Sequence, residues 1–174
     1  NYTMSSVKEL RARLKGVETI QKITKAMKMV AASRLRMVQK SVKQVLLGFK
    51  FFSSFFQGVQ NLDNAKQQLI ISITSERGLC GGINGSVNKS TLFFSSELHQ
   101  KTVKNEIFIV GSKGRDYLLR NCGQYVVRQV DQMGNKPFSF LTVSLLVEEF
   151  IFLNFDQATI FFNVFENVAS QKVY

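Results

Sequence analysis

No proline occurs before Pro137, so nothing in the amino-terminal third removes a backbone donor or forces a helix to break. Apolar residues recur there at Val7, Leu10, Leu14 and Val17. The seam shifts to Ile20, Ile23, Met27 and Val30, then returns at Leu35, Val38, Val42 and Val45. Spacings of three and four mark a helix with one apolar stripe. Ser6 and Glu9 in "SVKE" read as a capping box at its start. Gly16 and Gly48 weaken the helix by only about 1 kcal/mol each. Phe49, Phe52, Phe55 and Phe56 continue the pattern, and "GVQNLDN", Gly58 to Asn64, is the first stop. A helix from Ser6 to Gln57 is about 80 Å long at about 1.5 Å per residue. A rod of that length is normally half of a coiled coil or an element buried in a larger assembly.

Charge sharpens the picture. Residues 1 to 45 carry eleven Lys/Arg against two Glu, so +9 of the chain's net +11 lies in this segment and the rest is close to neutral. The helix should therefore face something acidic: nucleic acid, anionic lipid or an acidic protein surface. Lys22, Lys25 and Lys28 stand three apart, with Arg34 and Arg36 beyond. Like charges at these spacings repel, so an isolated helix gains nothing from them. Met27, Met29, Val30, Ala31 and Ala32 are interleaved among them, a smooth face of small and flexible residues suited to sliding or close packing against protein. Nucleic-acid arms usually break their basic runs with aromatic or base-reading side chains instead.

The second half alternates strand and helix signals. Strands are expected at Gln68–Thr74, Glu106–Gly111, Gln124–Val130 and Ala158–Phe165, with helices at Ser86–Val103, Lys113–Arg120 and Ser139–Leu153. That order predicts a small Rossmann-like parallel sheet with flanking helices, an α/β fold. The expected domains are 1–60, the basic helix, and 66–174, the α/β unit.

"SERGLCGGING" follows the first strand and invites a nucleotide-binding reading. Its glycines, Gly78, Gly81, Gly82 and Gly85, do not fit GxGxxG, and Gly85 is followed by Ser-Val rather than Lys-Ser/Thr. The second strand runs into "VGSKGRD" without the acid that would hold a ribose. The glycines are read as providing positive φ angles and close helix–sheet packing. Two cysteines, Cys80 and Cys122, lack metal-ligand spacing, and Cys80 is read as inert. His99, the one histidine, is expected on the solvent side of a helix. No cofactor and no metal are expected. No apolar run reaches the roughly 18 residues that span a bilayer. The chain starts at Asn rather than Met, which is read as a trimmed start. From the residues alone two competitors stay open, a small nucleotide-binding enzyme with a basic tail and a nucleic-acid-binding protein.

"QKITKAMKMVAASR", Gln21 to Arg34, followed by "SERGLCGGING", "IVGSKG" and a final "IFFNVFENV", closely resembles the gamma subunit of rotary ATP synthases. The resemblance implies a non-catalytic central-stalk rotor. Its long helix pairs with a carboxy-terminal helix inside a ring of three alpha and three beta subunits. Its α/β foot meets small central-stalk subunits (delta or epsilon) and the c-ring. Proton-driven rotation of that ring would drive ATP synthesis on the beta subunits, with no nucleic acid and no direct membrane insertion. Lys22, Lys25, Lys28, Arg34 and Arg77 would meet acidic loops of the beta subunits. Met27, Met29, Val30 and Ala31 would form the surface that turns within the ring, and Gly78, Gly81, Gly82 and Gly85 would shape a turn at the junction of shaft and foot. The implied location is the matrix side of the mitochondrial inner membrane, with the bacterial plasma membrane or the thylakoid as alternatives. The family's second coiled-coil helix has no counterpart before Tyr174, so the Val7–Leu10–Leu14–Val17 seam has no partner within this sequence.

Overall fold

The computed structural model of the protein describes residues 7–53, 65–78, 80–133, 139–165 and 171–174. The chain divides into two compact units, Asn1–Val59 and Gln60–Tyr174.

The first unit is one helix, α1, Val7–Ser53, of 47 residues. At about 1.5 Å per residue it extends about 70 Å. Its threonine hydroxyls bond within the helix: Thr19 and Thr24 each donate to the carbonyl four residues back, at 2.8 Å. An apolar stripe on a helix is ordinarily covered by a neighbour. Here Ile20 is 65 % exposed and Val45 69 %, and among the described side chains only Leu35 is half-buried. Ser6 of the expected capping box, the helix end at Gln57 and the stop at 58–64 lie outside the described residues.

The second unit is a four-stranded parallel sheet in the order β3-β2-β1-β4. Its elements follow the chain as β1 Gln67–Ile73, α2 Ile83–Gln100, β2 Lys104–Val110, α3 Ser112–Cys122, β3 Val126–Val130, α4 Phe140–Ile151 and β4 Gln157–Phe161. β1 is flanked by β2 and β4 and is apolar from Leu69 to Ile73 apart from Ser72, because both its faces are covered. Ile70, Ile107 and Ile109 pack with Leu98, Leu118 and Cys122 beneath α2 and α3. Leu69, Ile71, Phe108 and Val110 pack against Leu146 and Phe150 of α4 on the opposite face. Two buried hydroxyls of α2 are paired with side chains of the sheet. Thr91 Oγ1 donates to Ser72 Oγ at 3.2 Å, and Ser95 Oγ donates to Asn105 Oδ1 at 2.8 Å.

Two expectations need correcting. The strand expected at Ala158–Phe165 is split into β4 and β5, Asn163–Phe165, because it outruns its neighbour: Ser72 near the end of β1 already pairs with Phe161. Beyond that point it pairs antiparallel with β6, Gln171–Val173, a three-residue strand too short to leave a periodic signal. The third strand begins at Val126, not Gln124, because Gly123–Tyr125 form a 3-10 turn.

Candidate functional site

Two regions carry the residues singled out above, the surface of α1 and the turn between β1 and α2. On a helix turning about 100° per residue, side-chain directions follow from sequence number. Lys8, Arg11, Lys15, Lys22, Lys25, Arg36 and Lys40 fall within a sector of about 100°. They make a straight basic stripe about 48 Å long, interrupted by one acid, Glu18. From Ile20 onward the apolar seam, Ile20, Ile23, Met27, Val30, Val38 and Val42, runs along the opposite side. All of these side chains are exposed.

This geometry regroups the candidate residues. Lys22 and Lys25 sit in the stripe, and Lys28 lies at its flank. Arg34 projects into the apolar side, about 120° from Lys22. Met29 points with the basic stripe, away from Met27, Val30 and Ala31. The four candidate cations on α1 and the four sliding residues therefore do not form two clean faces. The stripe, which also holds Arg11, Lys15 and Lys40, is broader than the expected contacts, and its angular spacing is readable from the sequence.

The turn is knitted by short polar side chains. Ser75 N donates to Asn84 Oδ1 at 2.9 Å, and Asn84 Nδ2 donates back to Ser75 Oγ at 2.9 Å. Ser75 Oγ, Asn84 Nδ2 and the Cys80 thiol all donate to the Arg77 carbonyl, at 2.7, 3.4 and 3.4 Å. Arg77 thus has a clamped backbone and an exposed side chain. At the start of α3 the place a phosphate would take is filled from within: Ser112 N donates to Glu76 Oε2 at 3.2 Å, and Ser112 Oγ donates to the Glu76 carbonyl at 3.2 Å. Asn163 on β5 donates to the Ile83 carbonyl at 2.9 Å and ties the ribbon to the first turn of α2.

The glycines divide differently from expectation. Of the four in the first turn only Gly81 has a positive φ, 64°, and a Cβ on Gly81 or Gly85 would meet nothing within 4 Å. The tight packing is in the next strand-to-helix turn. Gly111 has φ 102°, and a Cβ there would collide with the Thr74 carbonyl. One on Gly114 would sit 2.7 Å from Thr74 Oγ1. Thr74 links the strand tips, donating from its hydroxyl to Val110 O at 3.1 Å and accepting from Gly114 N at 2.8 Å. Arg115 adds an ion pair to Asp131 at 2.5 Å, just past β3.

Among the described residues no group of three His, Cys, Asp or Glu side chains is disposed to hold a metal, and no helix is long and apolar enough to cross a membrane. His99 is exposed on α2 with its Nδ1 3.2 Å from the Tyr125 hydroxyl. Cys80 is half-buried, whereas Cys122 is buried, and burial raises its thiol pKa.

The family model described as ATP synthase matches residues 6–174. The ATP synthase gamma chains of Roseobacter denitrificans and Rhodobacter capsulatus are 36% and 37% identical to this chain, each alignment covering 97% of it and 64% of the relative. The mitochondrial gamma subunit of Ipomoea batatas is 32% identical over 95% of this chain and 51% of its own. This chain thus spans less than two thirds of the length of these relatives. Among solved structures, the rotor of the Euglena gracilis mitochondrial ATP synthase has the same fold, with a TM-score of 0.75, 22% identity and coverage of 96% of this chain and 60% of that one. The central stalk and c-ring structure of the Tetrahymena thermophila mitochondrial enzyme gives 0.68 at 25% identity, covering 87% and 70%. The chain belongs to the ATP synthase family, and its relatives within that family are gamma chains.

Proposed function

We propose that this chain serves as the central-stalk rotor subunit of an ATP synthase, coupling rotation of a membrane c-ring to the binding changes of catalytic beta subunits. It does no chemistry of its own in this reading. The observation that carries it is the exposure of α1: a rod of about 70 Å with a basic stripe on one side and an uncovered apolar seam on the other. An exposed apolar seam of this length marks an interaction surface, and it suits an element enclosed by other subunits. The enclosing partners are three alpha and three beta subunits; the α/β unit meets the small delta or epsilon subunits and the c-ring.

Lys22, Lys25 and Lys28, with Arg34 and Arg77, are the proposed contacts for acidic loops of the beta subunits. Exposed ion pairs are worth only about 0.2–1 kcal/mol each and are screened by salt. That weakness suits contacts made and broken at every turn, since breaking a buried pair costs about 3–5 kcal/mol. Met27, Val30 and Ala31 form the turning surface, and Met29 accompanies the cations. The glycine turn is structural and holds no nucleotide, a reading supported by the Glu76 carboxylate at the start of α3. The proposed location is peripheral, on the matrix side of the mitochondrial inner membrane, and the Ipomoea relative supports it.

Affinity purification through a tag on this chain tests the proposal. A ring of three alpha and three beta subunits should co-purify. Recovery of the chain alone, or with nucleic acid, would refute it.

A further inference from the structure

We propose that the basic stripe of α1 is a docking surface for an anionic bilayer, on which the rod lies flat, held by lipid headgroups, whenever no other subunit encloses it. The inference concerns α1 before enclosure, so it does not depend on what the enclosing subunits are. It needs the stripe alone. From Ile20 onward the apolar seam lies on the opposite side. A helix that covered the seam there would leave the cations in water.

The stripe carries its charge without compensation from the rest of the chain. The ion pairs among the described residues all lie in the α/β unit. Glu18, within the stripe itself, joins none of them. Cations at these spacings repel one another, and their common field reaches about 8–10 Å into solution. A surface of opposite sign relieves that repulsion and is attracted by every cation at once.

Geometry selects the occupant. The row from Lys8 to Lys40 is straight and about 48 Å long. A nucleic-acid duplex winds once in about 34–36 Å, so its phosphates curve away from a straight row before the row ends. Between Val7 and Gly48 there is no Phe, Tyr, Trp or His, so unpaired bases find nothing to stack on. A plane of anionic headgroups meets the whole row together, and each Lys or Arg close to such a surface strengthens binding about fivefold. The cations of the row are all exposed and free to reach it.

Co-flotation of the full chain with vesicles tests it, the probe being phosphatidylcholine vesicles with phosphatidylserine mixed in. The chain should float with them at low salt, more weakly as salt rises, and should stay behind with pure phosphatidylcholine. Two double variants that lose the same charge from the same residue type separate the stripe from net charge. Arg11 and Arg36 lie within it, whereas Arg13 and Arg34 project about 80° or more beyond its edges. Arg11→Gln with Arg36→Gln should weaken binding about thirtyfold, and Arg13→Gln with Arg34→Gln should leave it within about threefold. Circular dichroism should show the same helix in both. Equal losses in the two variants would overturn the proposal, because net charge alone would then do the binding. A greater loss for Arg13 and Arg34 would place the seam side down and overturn it too. So would absence of flotation at low salt, equal flotation with neutral vesicles, or displacement from the vesicles by single-stranded RNA of equal charge.

Discussion

The lock between Thr74 and Gly111 makes a quantitative demand on the α/β unit. Gly111 has φ 102° and ψ 138°, a region that only glycine occupies without strain. Alanine there would be disfavoured by about 1–3 kcal/mol from the backbone alone. Its Cβ would also press on the Thr74 carbonyl and lie 2.7 Å from Thr74 Oγ1. Relief requires moving a strand tip that is held by Thr74 N to Val110 O and Gly111 N to Val130 O, both at 2.8 Å. Overpacking of this kind adds about 1–3 kcal/mol. Gly111→Ala should therefore destabilise by about 4 kcal/mol, which at about 4 °C per kcal/mol lowers the melting point of the α/β unit by about 15 °C. Differential scanning calorimetry of the purified chain measures this. Gly16→Ala is the control: it lies within α1 with nothing within 4 Å of a new Cβ, and should leave the same transition unmoved while strengthening the helix by about 1 kcal/mol. A Gly111→Ala variant melting within about 2 °C of the parent would show that the strand tips are not held as described.

Three further outcomes are expected. Replacing Lys22, Lys25 and Lys28 together by Gln removes up to about 0.6–3 kcal/mol of exposed ion-pair attraction, so ATP-driven proton pumping should fall more than assembly does; normal pumping would count against these contacts. Met27→Lys puts a cation on the apolar side of α1, opposite the stripe, and should also impair pumping, whereas unchanged efficiency would argue against a turning surface there. N-ethylmaleimide should modify half-buried Cys80 at least about tenfold faster than Cys122, which is 4 % exposed and whose thiol is raised in pKa by burial; equal rates would contradict the packing beneath α3.

Legibility in the sequence followed periodicity. α1 and the central strand β1 were readable because a three-four spacing repeats many times along the first and apolar residues dominate Leu69–Ile73 in the second. β6 was not, since three residues carry no period, and the break after Phe161 depends on where β1 ends. The α1 candidates were grouped by nearness along the chain, which sets Met29 beside Met27 and Arg34 beyond Lys28, although the turn of a helix separates them. In the turn, glycines drew attention while Asn84, Glu76 and Thr74 make the bonds. Single short polar residues contribute hydrogen bonds without any pattern, so geometry alone reveals them. The conformational demand fell on Gly111 and Gly114, in the second of two similar glycine-containing turns.

The central claim is that an exposed, two-faced helix works as an axle within other subunits, and it meets its most direct test in the assembled complex. ATP synthesis driven by an imposed proton gradient should be measured in vesicles carrying the complex with and without this chain. Loss of gradient-driven synthesis without the chain, with ATP hydrolysis by the separated ring persisting, is the expected result. Undiminished synthesis in its absence would contradict the account.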